Sequence, residues 1–531
     1  MRRPPLPSVI GDLLVDRRAA SALLASGVAL FAAGMDPKIM APMASTTQAA
    51  LREKPELEGL VLLLSVITAV FLLVGGAIGD LSRARPVVIG GLAVSLAAAL
   101  VAVPLLGSQD LAFRLVRLAG IASAAIVMPS ALAMAAVSYT GVNRATAIGI
   151  AYAGYGLGQA LSPTLVSLIP GNPLPAFGGS IAACALALWV VRNRIPEIPR
   201  ATAPERPLVI GTALWAIGVV LVTIGLLWLG GGWDNPLRLG ITGTGILLIA
   251  VFAVMSRRTP PNGDAAVRVE RRPVATALFV GLVIAGAQTV PASQMPLFFS
   301  IVLGYGPLFG VVALAPLFVG LILAGPIAGF LLARFQPRHL IAGGVVLVGL
   351  GDIVVAAVMG RGTWYLAFVL PLLLVGGGFV VATTVRTAII FASVPRGLPA
   401  TAAALNEASI EVGTRAGIVV ITAVLADLAV RLYTSSASGM PADQLAAQVD
   451  GLRSLMGALG LPSWQTAVAA VQPGDLRAYG EAYVTALRLV MLGGGVIGVA
   501  GGVIAWLALG RRDPLATVYD FGEERRGEAT A

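Results

Sequence analysis

Ten ionisable side chains sit where the chain is otherwise apolar: Asp36, Lys38, Arg114, Arg117, Asp352, Arg386, Glu407, Glu411, Arg415 and Arg488. A charge in such surroundings is costly unless an opposite charge or a set of hydrogen bonds compensates it. Two chemistries fit. A carboxylate beside an arginine can be a static ion pair that ties two helices together. A carboxylate whose partner arrives and leaves with conformation changes its proton affinity each time, and that is the requirement for coupling proton movement to transport. Glu407, Glu411 and Arg415 are spaced i, i+4 and i+8, so they share a helix face that should point into a polar cavity. For Asp36, Asp352, Glu407, Glu411 and Arg415 both chemistries stay open. Arg114 and Arg488, close to the ends of their apolar segments, read as side chains that snorkel to the surface.

The elements that must hold these residues are membrane-spanning helices. Residues 59–79, 86–107, 118–142 and 207–233 carry no Asp, Glu, Lys or Arg, and 145–191 and 273–333 are uncharged for long enough to cross twice. A hydrocarbon core roughly 30 Å thick takes about 20 helical residues to span. Hydrophobic residues make up 57% of the chain and charged ones 12%, a balance that excludes a soluble domain of this size. Fourteen spans are expected, at about 19–42, 58–79, 86–106, 111–138, 145–168, 174–192, 207–230, 238–256, 273–303, 308–333, 339–360, 363–391, 400–430 and 482–509. The basic N-terminus leads into a full-length span, so it reads as a retained first helix rather than a cleaved leader.

Charge fixes the orientation. With the N-terminus inside, the outer loops hold only Arg52, Lys54, Arg238, Arg361, Arg431, Arg453 and Arg477, and most other basic residues fall inside, as the positive-inside rule demands. Both termini are therefore expected in the cytoplasm of a cell whose inner (plasma) membrane the chain crosses many times. The net charge of +10 follows from arginines at span ends and implies no nucleic acid. Polar, Pro-rich segments at 193–206 and 256–272 bracket spans 7 and 8, which suggests residues 1–192 as one six-helix bundle, 193–272 as a linker carrying two extra helices, and 273–509 as a second six-helix bundle, followed by a tail at 510–531. The one long loop, 431–481, carries Leu445, Val449, Leu452 and Met456 at helical spacing and is expected to rest amphipathic helices on the outer face. One histidine, one cysteine and scattered carboxylates offer no catalytic cluster or metal site, so no enzyme activity and no cofactor are expected.

Helical rise converts position into depth. Asp36 and Arg117 come to similar depths, as do Arg386 and Glu407 near the inner face, while Asp352 and Arg415 fall nearer the middle. Small residues mark close helix contacts: Gly154, Gly158 and Ser162-Pro163 form a ladder in span 5, and Gly413 and Gly417 repeat the device in span 13.

Four stretches carry a resemblance. They are Gly76-Ala77-Ile78-Gly79-Asp80-Leu81-Ser82-Arg83-Ala84-Arg85 between spans 2 and 3, Arg117-Leu118-Ala119-Gly120 in span 4, the Gly154–Gly158–Ser162–Pro163 ladder, and span 13 from Ala404 through Gly417. Together they resemble the major facilitator superfamily, most closely its fourteen-span drug:proton antiporter branch, over nearly the full length. The first is similar to the family loop G-x-x-x-D-R-x-G-R-K, with Leu81, Arg83 and Ala84 replacing arginine, glycine and arginine. The resemblance implies an inner gate locked around Asp80, Arg83 and Arg85. The second is similar to R-x-x-Q-G, with Ala119 for glutamine, and implies a proton-coupling role for Arg117. The third is similar to the antiporter motif G-x-x-x-G-x-x-x-G-P, with Ser162 at the last glycine.

The resulting expectation is an all-α polytopic membrane protein of the major facilitator fold, acting as a monomer that exports small lipophilic or amphipathic molecules against protons. Two halves would rock about a midplane cavity formed by spans 1, 4 and 5 against spans 9, 12 and 13. Met128, Tyr152, Tyr155, Met295, Phe298 and Phe299 are the apolar cavity candidates. Lipid or lipid-precursor export on the same scaffold is the nearest rival, with membrane lipids then as substrates as well as solvent. A solute importer and a non-transporting membrane protein stand further off.

Overall fold

The computed structural model describes residues 13, 15–51, 58–106, 111–139, 141–169, 174–194, 236–258, 271–332, 334–394, 398–436 and 473–510, with a few positions in 217–225 and 441–449. All the regular structure among them is helical: α1 (Arg17–Leu51), α2 (Glu58–Leu81), α3 (Ala84–Ala102), α4 (Leu111–Val137), α5 (Gly141–Leu168), α6 (Leu174–Arg194), α7 (Pro236–Arg258), α8 (Arg271–Leu297), α9 (Gly306–Val312), α10 (Ala315–Leu332), α11 (Pro337–Val358), α12 (Leu366–Ser393), α13 (Pro399–Ser436) and α14 (Pro473–Leu509). Four of them begin on proline, whose fixed φ suits the first helical position, where no N–H is needed. Asp16 starts α1 by accepting the Arg18 N–H at 2.8 Å.

Among the described residues nine helices are long and apolar enough to cross a bilayer. Large apolar side chains such as Leu186, Leu323, Leu370 and Ile497 are exposed on their outward faces, so these helices are apolar on both sides, as lipid requires. Every expected span coincides with helix except 207–230, most of which lies outside the described residues. The ends differ in three places. Span 9 does not stop cleanly but widens into a π-helical turn at Phe298–Val302, just after Pro291 and Pro296 have removed two backbone donors. The chain then turns at Gly304, whose φ of 71° suits a residue without Cβ. Span 10 is split into α9 and α10. In the third place, α13 runs on to Ser436 and α14 starts at Pro473, so the expected 431–481 loop is shorter than predicted. Within that loop Leu445 and Val449 pack on the core, and Tyr479 donates to the Gln448 carbonyl at 2.7 Å; Leu452 and Met456 lie outside the described residues.

The same set of pairings occurs twice. Helix α1 packs on α4, α5 and α6, and α3 and α4 complete that group with α2. Likewise α8 packs on α12, α13 and α14, with α10 and α11 completing the second group. The correspondence α1 to α8, α2 to α10, α3 to α11, α4 to α12, α5 to α13 and α6 to α14 also maps one crossing between the groups, α2 on α13, onto the other, α5 on α10. At the second crossing Gly149 and Gly325 meet backbone to backbone, and a Cβ on either would collide with the other's carbonyl.

Candidate functional site

A cluster of polar side chains lies buried where α5 of the first group meets α12 and α13 of the second. Tyr152, Arg386, Thr387, Asn406, Glu407 and Ser409 are all at most 6% exposed. The helices supply them by simple spacing. Asn406 and Glu407 are neighbours in the first turns of α13, Ser409 follows one turn on, and Arg386 and Thr387 are neighbours in the last turns of α12. Glu407 Oε1 accepts two bonds, one from the Tyr152 hydroxyl and one from Asn406 Nδ2 at 2.9 Å. Asn406 Nδ2 also donates to the Tyr152 oxygen at 2.7 Å, and Thr387 Oγ1 lies 3.4 Å from it. No hydrogen bond among the described residues reaches Oε2, which leaves that oxygen as the open position of the carboxylate. The Tyr152 bond crosses between the two helix groups, so it joins them directly.

Arg386 is held differently. Its Nη1 donates to Ser409 Oγ at 2.8 Å and to the Ala277 carbonyl at 3.3 Å, and its Nη2 donates to the Asn406 carbonyl at 2.9 Å. A methyl at Gly281 of α8 would collide with that guanidinium, so the glycine makes its room. Arg386 and Glu407 share a level, as their depths predict, yet they form no direct ion pair within 4.0 Å. They interact through Asn406, which gives its carbonyl to the cation and its amide to the carboxylate. A fixed charge in low dielectric acts over several ångströms, so Arg386 biases Glu407 without touching it.

Asp80 occupies a second site at the end of α2. Its two carboxylate oxygens accept the Ala400 and Thr401 N–H groups at 2.8 Å each. These are orphan donors at the start of α13, which carries positive partial charge. The stretch expected to form the inner gate therefore engages a helix end through Asp80. Arg83 is exposed, and Arg85 donates instead to the Arg192 carbonyl at 2.8 Å, tying α3 to the end of α6. Arg338 repeats that clasp in the second group, donating to the Gly510 carbonyl at 3.0 Å.

The remaining expected residues are distributed as follows. Arg117 is fully buried, with its guanidinium 5.1 Å from the centre of the Phe177 ring; the side chains of Asp36 and Arg415 lie outside the described residues, as do those of Lys38 and Arg114. Glu411 is half-buried one turn beyond Glu407. Asp352 is fully buried, and neither carboxylate oxygen has a hydrogen-bond partner among the described residues. The span 5 ladder faces α1: Cβ atoms at Gly154 and Gly158 would meet the Gly27 and Phe31 carbonyls, with Ser162 buried beyond them and Pro163 half-buried. Met128 packs with Tyr152 in the core of the first group, with the half-buried Tyr155 alongside. Met295, Phe298 and Phe299 are fully buried in the second core, where Phe299 stacks on Tyr305 and meets Phe368 edge-on at 5.4 Å. Asn406, Ser409 and Thr387 were not singled out from sequence, because a search for charges passes over neutral donors and acceptors.

The family model of the Major Facilitator Superfamily matches residues 24–418. The chain belongs to the major facilitator superfamily. The chain is 28% identical over 232 residues to the MFS-type transporter ucsD of Acremonium sp, a match covering 39% of this chain and only 38% of that relative. Among solved structures the chain's fold is similar to that of the POT family transporter PepTSo, with TM-score 0.56 and 15% identity, covering 93% of this chain and 97% of the other. It is also similar to an auto-inhibited POT family peptide transporter, with TM-score 0.54, 17% identity and the same coverages of 93% and 97%. At these identities the likeness shows the fold alone.

Proposed function

We propose that this transporter exports small lipophilic or amphipathic molecules in exchange for protons, with Glu407 as the proton-carrying group. One observation carries the reading: a buried carboxylate accepts a hydroxyl from the opposite helix group. A bond to a charged acceptor contributes about 1.5–3 kcal/mol, against about 0.5–1.5 kcal/mol for a neutral one. A proton on the open Oε2 therefore weakens the Tyr152 bond and favours separation of the groups at the Asp80 end, and its loss favours closure. Arg386 supplies the fixed positive charge that keeps the deprotonated state accessible, and Asn406 holds the carboxylate in orientation. Proton dependence is already attributed to oligopeptide transporters with a similar fold, and a ladder similar to the antiporter motif favours export. The Asp80 end is the inner side in this reading, with both termini in the cytoplasm and the chain in the plasma membrane as a monomer of two six-helix bundles and an inserted pair.

Proteoliposomes with an imposed pH gradient test it. Wild type is expected to drive a lipophilic cationic dye against its gradient as protons move the other way, and Glu407→Gln to carry the dye only down its own gradient. Flux with the opposite sign would make the protein an importer. Competition by single-tailed lipids and not by dyes would move the substrate class to lipids. Gradient-driven export by a folded Glu407→Gln protein would sink the assignment of the proton site.

A further inference from the structure

Asp352 lies outside the site just described. It sits on α11, deep in the second helix group, and its neighbours along the same face, Val348 and Val355, belong to an apolar core with Val290, Leu372 and Met491. The residue is 0% exposed and both carboxylate oxygens lack a hydrogen bond among the described residues. A lone charge there would cost several kcal/mol, so the carboxylate form needs a cation beside it. A candidate counter-ion on a neighbouring helix has its own unmet need. Arg488 of α14 donates one Nη2 hydrogen to the Met359 carbonyl, while its buried Nε has no partner among the described residues.

The register between the two helices brings these groups within reach. Gly349 of α11 meets Gly495 of α14, and Gly502 meets Ala342 and Val346, so the helices run antiparallel. Asp352 is three residues past Gly349 and Arg488 is seven before Gly495, which puts both on the same side of that contact. At about 1.5 Å per residue their Cα atoms differ in height by about 6 Å; Arg488, seven residues from Gly495, shares the face of α14 turned to α11, and Asp352, three from Gly349, lies beside the face of α11 turned to α14. The Arg488 side chain now points away, toward Met359 at the end of α11.

We propose that Asp352 is a second proton-binding group of this transporter, and that Arg488 leaves the Met359 carbonyl to receive the carboxylate when the proton departs. The proton leaves the carboxyl oxygen, the O–H bond breaks, and an Asp352–Arg488 ion pair replaces it. The helices packed on α11 are α8, α10, α12 and α14. Helix α10 and the part of α8 beyond Arg272 carry no titratable side chain, and the one on α12, Arg386, is engaged with Ser409, Asn406 and Ala277. On α14 the facing groups are Arg488 and Tyr483, and Tyr483 donates to Gln294 Oε1 of α8 at 3.5 Å. Among the described residues of these helices, Arg488 is thus the cation left to answer this carboxylate.

The inference rests on the proton-coupled reading, and the experiment separates the two. Each proton moved per cycle contributes a factor of about ten in limiting substrate accumulation for each unit of pH gradient. Accumulation is measured at a one-unit step with the voltage clamped to zero, for wild type, Asp352→Asn and Arg488→Met. Both variants are expected to reach a limit about tenfold below wild type while remaining gradient-driven. Arg488→Met also serves if Asp352→Asn fails to reach the membrane, because without the arginine the carboxyl has no cation to receive it. A gradient-driven wild type whose limit either folded variant matches overturns the role of Asp352 alone. A wild type indifferent to the gradient removes the proton-coupled reading, and this site with it.

Discussion

The Tyr152 hydroxyl is the single atom group that joins the two halves through Glu407, and its removal has a definite expected size. Tyr152→Phe keeps the ring in the core and deletes a bond worth about 1.5–3 kcal/mol. The equilibrium should shift roughly ten- to hundredfold toward conformations open at the Asp80 end, read as a longer distance between spin labels on the ends of α2 and α13. An unchanged distance distribution would mean the bond holds nothing. Gly281→Ala acts on the same cluster from behind. Its methyl takes the place of the Arg386 head, so a drop in melting temperature and a displaced pH profile of transport are expected together. A loss of stability with an unmoved profile would restrict Arg386 to packing.

At the level of elements, Asp80 and α13 make one device. A carboxylate on two first-turn N–H groups is a helix cap supplied by another helix, worth about 0.5–2 kcal/mol. Asp80→Ala should shift closure toward the open form by roughly two- to thirtyfold, measured by accessibility of a cysteine placed near Thr401. Much of this level was legible beforehand. Hydropathy located the helices because lipid leaves few alternatives, and depth arithmetic set Arg386 and Glu407 at one height. What lay beyond reach were partners rather than positions. Tyr152 reads as a cavity lining residue in sequence, and only the meeting of the two helix groups makes it a donor to Glu407. Asp80 reads as half of an ionic lock, whereas it accepts the backbone N–H groups of Ala400 and Thr401, which no search for charged partners can find. The π-helical turn at Phe298–Val302 is likewise invisible to a hydropathy window, which sees only an apolar segment.

For the whole molecule the repeated helix pairings make a stronger demand: the two crossings, α2 on α13 and α5 on α10, must open together. Asp80→Ala touches only the first, yet labels across α5 and α10 should separate by the same fraction of molecules. Independent populations at the two crossings would show that the groups do not move as units. Gly149→Val attacks the second crossing by placing a side chain where two peptide backbones touch. It should abolish transport while leaving the melting temperature within a few degrees of wild type, and hold both crossings apart.

That meeting of Gly149 with Gly325 has nothing compressible in it. Dispersion between peptide groups fades within about an ångström of contact, and no flexible side chain bridges a partial gap there. Halfway positions gain nothing from this seam, so the transporter should toggle like a switch, with single-molecule traces hopping between two levels instead of drifting through a continuum.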